Sequence, residues 1–207
     1  NDLGGYYQVE EEILEQCKKT LFFLAQNKVV VEEVEPEANP YHLSNSWKIL
    51  RSKSLYDEFL NYNLSSDEKI LTVDWEIKNG QLVKETDLEE ALVWRSLWEN
   101  EVNSIFKKYD YLALPVAQVY PFNKDIPYPS SINGKQMETY HQWMDIVVLS
   151  SILGLPTISV PVGLNRNGLP MGMQIIGKRK SDIDLIAFAK KYETIFSCSE
   201  IVPQKFN

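Results

Sequence analysis

SSILGLPTISVPVGLNRNGLPMGMQIIG, residues Ser150–Gly177, decides how this chain folds. Gly154 closes an apolar helical run and Pro156 follows two residues later, which predicts a helix end. Thr157-Ile158-Ser159-Val160 is β-prone and is punctuated by Pro161. Asn165-Arg166-Asn167-Gly168 reads as a turn, its Asn-Gly pair suited to positive φ. Met171–Gly177 is apolar except for Gln174, as expected of a strand covered on both faces.

Outward from this stretch, Val9–Asn27 predicts a helix with Ile13, Cys17, Leu21 and Leu24 at helical spacing. Glu10, Glu11 and Glu12 sit in its first turn, where the helix dipole favours anions. Val29–Val34 alternates as a strand before Pro36. Leu43–Tyr62 and Ser65–Lys78 read as helices, the second closed by Asn79-Gly80, with a strand over Ile70–Trp75 as the alternative. Thr86-Asp87-Leu88-Glu89 reads as a capping box opening a long helix over Asp87–Lys108, with Ala91, Trp98, Val102 and Ile105 on one face. Tyr111–Leu114 is a short buried strand stopped by Pro115. Val116–Lys135 is a Pro- and Tyr-rich loop, and a loop of that length commonly serves function. Met137–Leu153 then predicts a buried helix, and Ser181 opens a last helix to Phe196. The Lys178-Arg179-Lys180 run before it reads as a solvated loop. No domain boundary, repeat or low-complexity segment is visible, so residues 1–207 read as a single domain of α/β class, a mixed sheet flanked by helices.

Composition narrows the function. The 207 residues carry a net charge of −8, which offers no basic surplus for phosphates and argues against nucleic acid or an anionic membrane as partner. No apolar run approaches the roughly 20 residues that span a bilayer. The N-terminus has neither a basic region nor an apolar signal core, and Asn1 is not an initiator Met, so the chain reads as a processed or excised piece. Cys17 and Cys198 lie far apart, Cys17 on an apolar helix face, which predicts a buried thiol and a cytoplasmic origin.

Three segments resemble the amidase signature family: GLPTISVPVG (154–163), GLPMGMQIIG (168–177), and the helical segment that follows. A Gly4-Gly5-Tyr6 opening, an amphipathic helix and the V-E-x-V pattern near Val31 extend the similarity from about Asp2 to about Phe196. The resemblance implies hydrolysis of a carboxamide C–N bond to acid plus ammonia or amine, without a cofactor. A Ser nucleophile, a second Ser on a cis peptide and a Lys base perform it, and a Gly/Ser-rich stretch supplies donors for the oxyanion. None of that stretch is present. The pairs Ser65-Ser66, Ser130-Ser131 and Ser150-Ser151 lack flanking glycines, and the family carries its Ser-Ser-Lys centre N-terminal to the region matched here. No catalytic residue is therefore assigned. The chain reads as the C-terminal half of such an enzyme, inactive by itself, with exposed strand edges that favour self-association into a homo-oligomer.

Candidate site residues belong to a pocket. The loop after Pro115 leaves a strand end, where α/β sheets carry ligands. In the family this loop and the next helix wall the acyl cleft, which assigns Tyr140, Trp143 and Met144 to contact with a small-molecule amide substrate; plain core packing is the competing reading. His141 and Asp145, four apart, suit a carboxylate orienting an imidazole, with Ser130, Ser131 or Ser150 as nucleophile; a structural His is the preferred reading. His42 and His141 lack metal-ligand spacing, and no metal is assigned. Two other roles stay open: a non-catalytic assembly module paired with a catalytic partner, and the A subunit of an aminoacyl-tRNA amidotransferase. The segment YHQWMDIVV favours stand-alone amidases over that subunit.

Overall fold

The computed structural model describes residues 2–60 and 71–197. Cys198 and the predicted helical residues 61, 62 and 65–70 lie outside them. In chain order the elements are α1 (Glu11–Gln26), α2 (Pro40–Phe59), α3 (Leu71–Leu82), α4 (Glu85–Ile105), β1 (Tyr111–Pro115), β2 (Ser131–Ile132) and β3 (Lys135–Gln136). A 3-10 turn (Asp145–Val147), α5 (Val148–Leu153), β4 (Thr157–Leu164), β5 (Pro170–Gly177) and α6 (Asp182–Phe196) follow. The chain forms two compact units, one of residues 1–36 and 103–207 and the other of residues 37–102.

The first unit is α/β, in the class expected. Its sheet has the order β1-β5-β4, with both pairings antiparallel. β5 is central and buried along nearly its whole length, matching its apolar run. The one polar residue, Gln174, is buried and fully used: Nε2 donates to Pro115 O at 2.9 Å and to Ile146 O at 3.0 Å. Ser150 of α5 donates to Gln174 Oε1 at 3.5 Å, whereas a Cβ at Gly177 would meet Leu185 of α6, so α5 and α6 lie on opposite faces of the strand. Phe23 of α1 and Phe196 of α6 meet edge-on at 5.9 Å, near the C-terminal ends of both helices.

Pro161 does not end its strand. β4 runs on to Leu164, and the register shifts between Pro161 and Gly163, a bulge at the residue that has no N–H to give the ladder. The turn to β5 is held by Asn165, whose Oδ1 accepts from the N–H groups of Asn167 and Leu169, each at 2.9 Å, while Gly168 takes φ +75°. The helix stop at Gly154 is as read: φ is +60°, and Leu155 N and Gly154 N return to Ser150 O and Ser151 O.

Three expectations for this unit fail. Residues 29–36 form no strand, because no described residue pairs with them; Val30 is exposed, and Glu32 is held by Lys108 at 2.8 Å and by the Tyr109 hydroxyl. The helix over Met137–Leu153 shrinks to α5. Glu138 N and Thr139 N donate to the Gln142 side chain, and Gln142 N and Met144 N close i→i−3 bonds, so tight turns consume the donors a helix would use. The long loop also gains structure at its end: Asn133-Gly134, at φ +50° and +79°, turns β2 into β3.

The second unit is helical. Gly80 sits inside α3 rather than after it, because a Cβ there would stand 2.1 Å from Ser52 O and 2.6 Å from Tyr56 Cβ of α2. The glycine serves a close helix crossing, not a stop. Residues 71–75 are helical, which removes the strand alternative for that part. Beneath the crossing, buried Glu76 accepts from Arg51 Nε at 2.7 Å and Ser52 Oγ at 2.5 Å. His42 of α2 stacks on Trp94 of α4 at 3.6 Å. α4 starts two residues earlier than read, and Asp87 reaches back to Lys84 N at 2.9 Å, which is half of a capping box. Ala91, Trp98 and Val102 are buried on one face as expected. Among the described residues no helix is long and apolar enough to cross a membrane.

Candidate functional site

β1 delivers the chain to Val116, whose N–H continues the ladder onto Gly172 O at 3.1 Å. Beyond it the backbone leaves the sheet, and residues 116–122 cross the start of β5. Gly172 permits this: a Cβ there would lie 2.8 Å from Ser159 Oγ and 3.0 Å from Val116 Cγ1. An apolar cavity of about 360 Å³ opens between residues 116–122, Trp143 and Pro170–Gly172. Trp143 meets Phe122 edge-on at 5.4 Å, forming one corner. Among the described residues the lining contains no Ser, His, Lys or carboxylate, so these residues offer shape and desolvation rather than proton transfer.

The three predicted pocket residues separate. Trp143 lines the cavity. Tyr140 is half-buried and packs its ring on His141 at 3.9 Å and against Tyr128 at 6.3 Å, outside that lining. Met144 is half-buried in the turn, where its carbonyl accepts Val147 N, and it too is outside the lining.

His141 is not at a helix edge. It is fully buried, and Asp145 is nearly so, in consecutive turns rather than on one helical face. Ser150 is buried with its hydroxyl on Val147 O at 3.2 Å, a structural use, whereas Ser130 and Ser131 are exposed. Cys17 is a buried thiol, as read, and burial pushes its pKa up to about 11.

A second cavity, of about 350 Å³, went unread in the sequence. Glu10 and Glu12 line it with Tyr120, Phe122, Asn165 and Arg166. Glu10 Oε2 accepts Tyr120 N at 3.1 Å, and Glu12 Oε1 accepts Arg166 N at 3.3 Å. Burial, with the carboxylates of Glu12 and Glu10 and Cys17 nearby, pushes the Tyr120 phenol up to about 12. The glutamates look like ordinary first-turn acids in sequence, because their partners lie 110 and 154 residues away.

Residues 2–186 match the family model described as Amidase. A glutamyl-tRNA(Gln) amidotransferase subunit of Sulfolobus acidocaldarius is 34% identical over 107 residues, 51% of this chain and 21% of that protein. The Ehrlichia canis protein of the same name is 34% identical over 127 residues, 59% of this chain and 24% of that protein. Among solved structures, a bacterial aryl acylamidase of the amidase signature enzymes superposes with TM-score 0.84 at 23% identity, over 95% of this chain and 43% of its own. The 6-aminohexanoate cyclic dimer hydrolase gives 0.76 at 20% identity, over 98% of this chain and 45% of its own. These superpositions establish the fold, and the chain spans less than half of either enzyme. With its paired glycine-proline strands and this match over most of its length, the chain belongs to the amidase signature family.

Proposed function

We propose that this chain is the C-terminal part of an amidase that hydrolyses a carboxamide C–N bond to acid and ammonia or amine. The Ser–cis-Ser–Lys centre lies in a segment outside these residues, and this part supplies scaffold and one wall of the acyl pocket. The observation that carries the reading is the apolar cavity at the exit of β1, lined by Trp143 and formed in a chain whose residues 2–186 match the amidase family. An apolar acyl group loses water there, and on this reading Tyr140 and Met144, which stand outside that lining, contact the rest of a small-molecule substrate. The present residues contribute binding and orientation, so the isolated chain turns over no amide.

A second reading, one component of a tRNA-dependent amidotransferase, draws support from the names of the curated relatives. The coding sequence upstream of Asn1 tests the main reading. An in-frame Gly/Ser-rich stretch carrying the two serines and the lysine supports it, and a different upstream domain sinks it. Glutaminase activity that requires a partner protein would select the second reading.

A further inference from the structure

We propose that Asn167, at the tip of the β4–β5 hairpin, is a site of spontaneous deamidation that converts it to aspartate and isoaspartate. The chain carries three Asn-Gly pairs: Asn79-Gly80, Asn133-Gly134 and Asn167-Gly168. A glycine after asparagine leaves the backbone nitrogen open to the carboxamide, because no Cβ shields it. The dipeptide alone ranks the three pairs equally, and the tertiary structure separates them. Asn79 Nδ2 donates to Trp75 O at 2.8 Å. Gly80 is buried inside α3, where even a Cβ would stand 2.1 Å from Ser52 O, so its nitrogen has no room to turn on the side chain. Asn133 Nδ2 donates to Val9 O at 2.9 Å, which holds the nitrogen that has to leave.

Asn167 is exposed, and its carboxamide makes no hydrogen bond to any described residue. Asn165 carries the bonds of the turn instead, its Oδ1 accepting Asn167 N and Leu169 N. Gly168 N donates to Asn165 O at 2.9 Å, and this bond lies at an exposed turn tip, where local opening costs least. On opening, the Gly168 nitrogen attacks Asn167 Cγ and closes a five-membered succinimide. The carboxamide nitrogen leaves as ammonia and takes the proton from the glycine nitrogen. Water then adds at one of the two ring carbonyls. Addition at Cγ breaks its bond to the glycine nitrogen and gives aspartate. Addition at the main-chain carbonyl gives isoaspartate, whose backbone is one carbon longer. Either product adds a negative charge to a chain already at −8. The longer backbone falls between the N–H groups that Asn165 holds, and Pro170–Gly172, just beyond, line the apolar cavity, so conversion loosens the hairpin that places them. This modification does not depend on the parent being an amidase.

The test is prolonged incubation of the full chain in warm buffer at pH 8, with tryptic mass mapping of timed samples and a zero-time digest as blank. Cleavage after Lys78, Lys124 and Arg166 puts each Asn-Gly pair in its own peptide. Amide-to-acid conversion is expected at Asn167 at least about ten-fold faster than at Asn79 or Asn133, whose amides must first give up a hydrogen bond. In urea the three rates are expected to converge, because no fold then protects any pair. An isoaspartate methyltransferase with a labelled methyl donor gives a second readout: it is expected to mark the aged chain, and Asn167→Gln is expected to remove most of the label. Conversion of Asn79 or Asn133 in the folded chain as fast as Asn167, an unchanged Asn167 peptide in the folded chain, or undiminished label in the Asn167→Gln variant would each overturn the proposal.

Discussion

Gln174, in the middle of β5, donates from Nε2 to the carbonyl of Ile146 at 3.0 Å, joining the sheet to the turn that follows Trp143. The same amide satisfies Pro115 O at the exit of β1. One buried side chain thus ties the residue that precedes the cavity-lining segment 116–122 to the turn that follows Trp143. Gln174→Leu leaves two buried carbonyls unsatisfied and is expected to destabilise the chain by about 2–4 kcal/mol. Urea denaturation followed by circular dichroism measures the loss; a change under about 0.5 kcal/mol would show that water replaces the amide at no cost.

Gly80→Ala reverses the ordinary sign of a helix-interior glycine change. Alanine normally favours a helix by about 1 kcal/mol over glycine. Here the added methyl would sit 2.1 Å from Ser52 O, so α2 and α3 must separate. A net loss of about 2 kcal/mol or more is expected from the overpacked crossing. Thermal unfolding checks it, and a more stable variant would mean that the helices do not cross this closely.

Cys17 titrates late. Its pKa in the folded chain, pushed by burial up to about 11, exceeds the value near 9 for a free thiol. The raised value means the folded state holds the proton more tightly. This contribution to stability is complete below about pH 9 and is lost as pH rises towards about 11. In a Cys198→Ser background, a thiol reagent at pH 8 is expected to label Cys17 only after denaturation. Rapid labelling of the native chain would contradict the burial.

On the proposed reading, Trp143→Ala in the parent amidase separates pocket from packing. The cavity loses its corner against Phe122, so kcat/KM is expected to fall about ten-fold or more for bulky apolar acyl groups and little for acetyl. Stability is expected to change by less than about 1.5 kcal/mol, since the ring is only half-buried. A uniform loss across substrates with a lowered midpoint would assign Trp143 to packing alone.

What could be read from the chain was local. The helical spacing of Ile13, Cys17 and Leu24 reports a buried face whatever that face packs on, and all three are buried in α1. Gly154 and Pro156 end α5, and the apolar run at Met171–Ile176 lies in the central strand, because punctuation and burial act over a few neighbouring residues. The failures share a different cause. Val29–Val34 has strand composition, but a strand exists only where a neighbour accepts its ladder. Met137–Met144 has helical composition, but its backbone donors are taken by Gln142 and by tight turns. Gly80 reads as a stop because the sequence does not show that Ser52 lies against it.

The sequence by itself determined the family, the α/β class, the principal helices of both units and the central strand, since glycine-proline punctuation and hydrophobic period are written in adjacent residues. Only the tertiary structure decided the sites. It brought Trp143 but not Tyr140 or Met144 to the apolar cavity, and it set Glu10 against Tyr120 and Glu12 against Arg166 across more than a hundred residues of chain. The physical reason is that a cavity is formed by groups meeting through space, and the register of a bulged strand, the path of a loop and one buried amide select which groups those are.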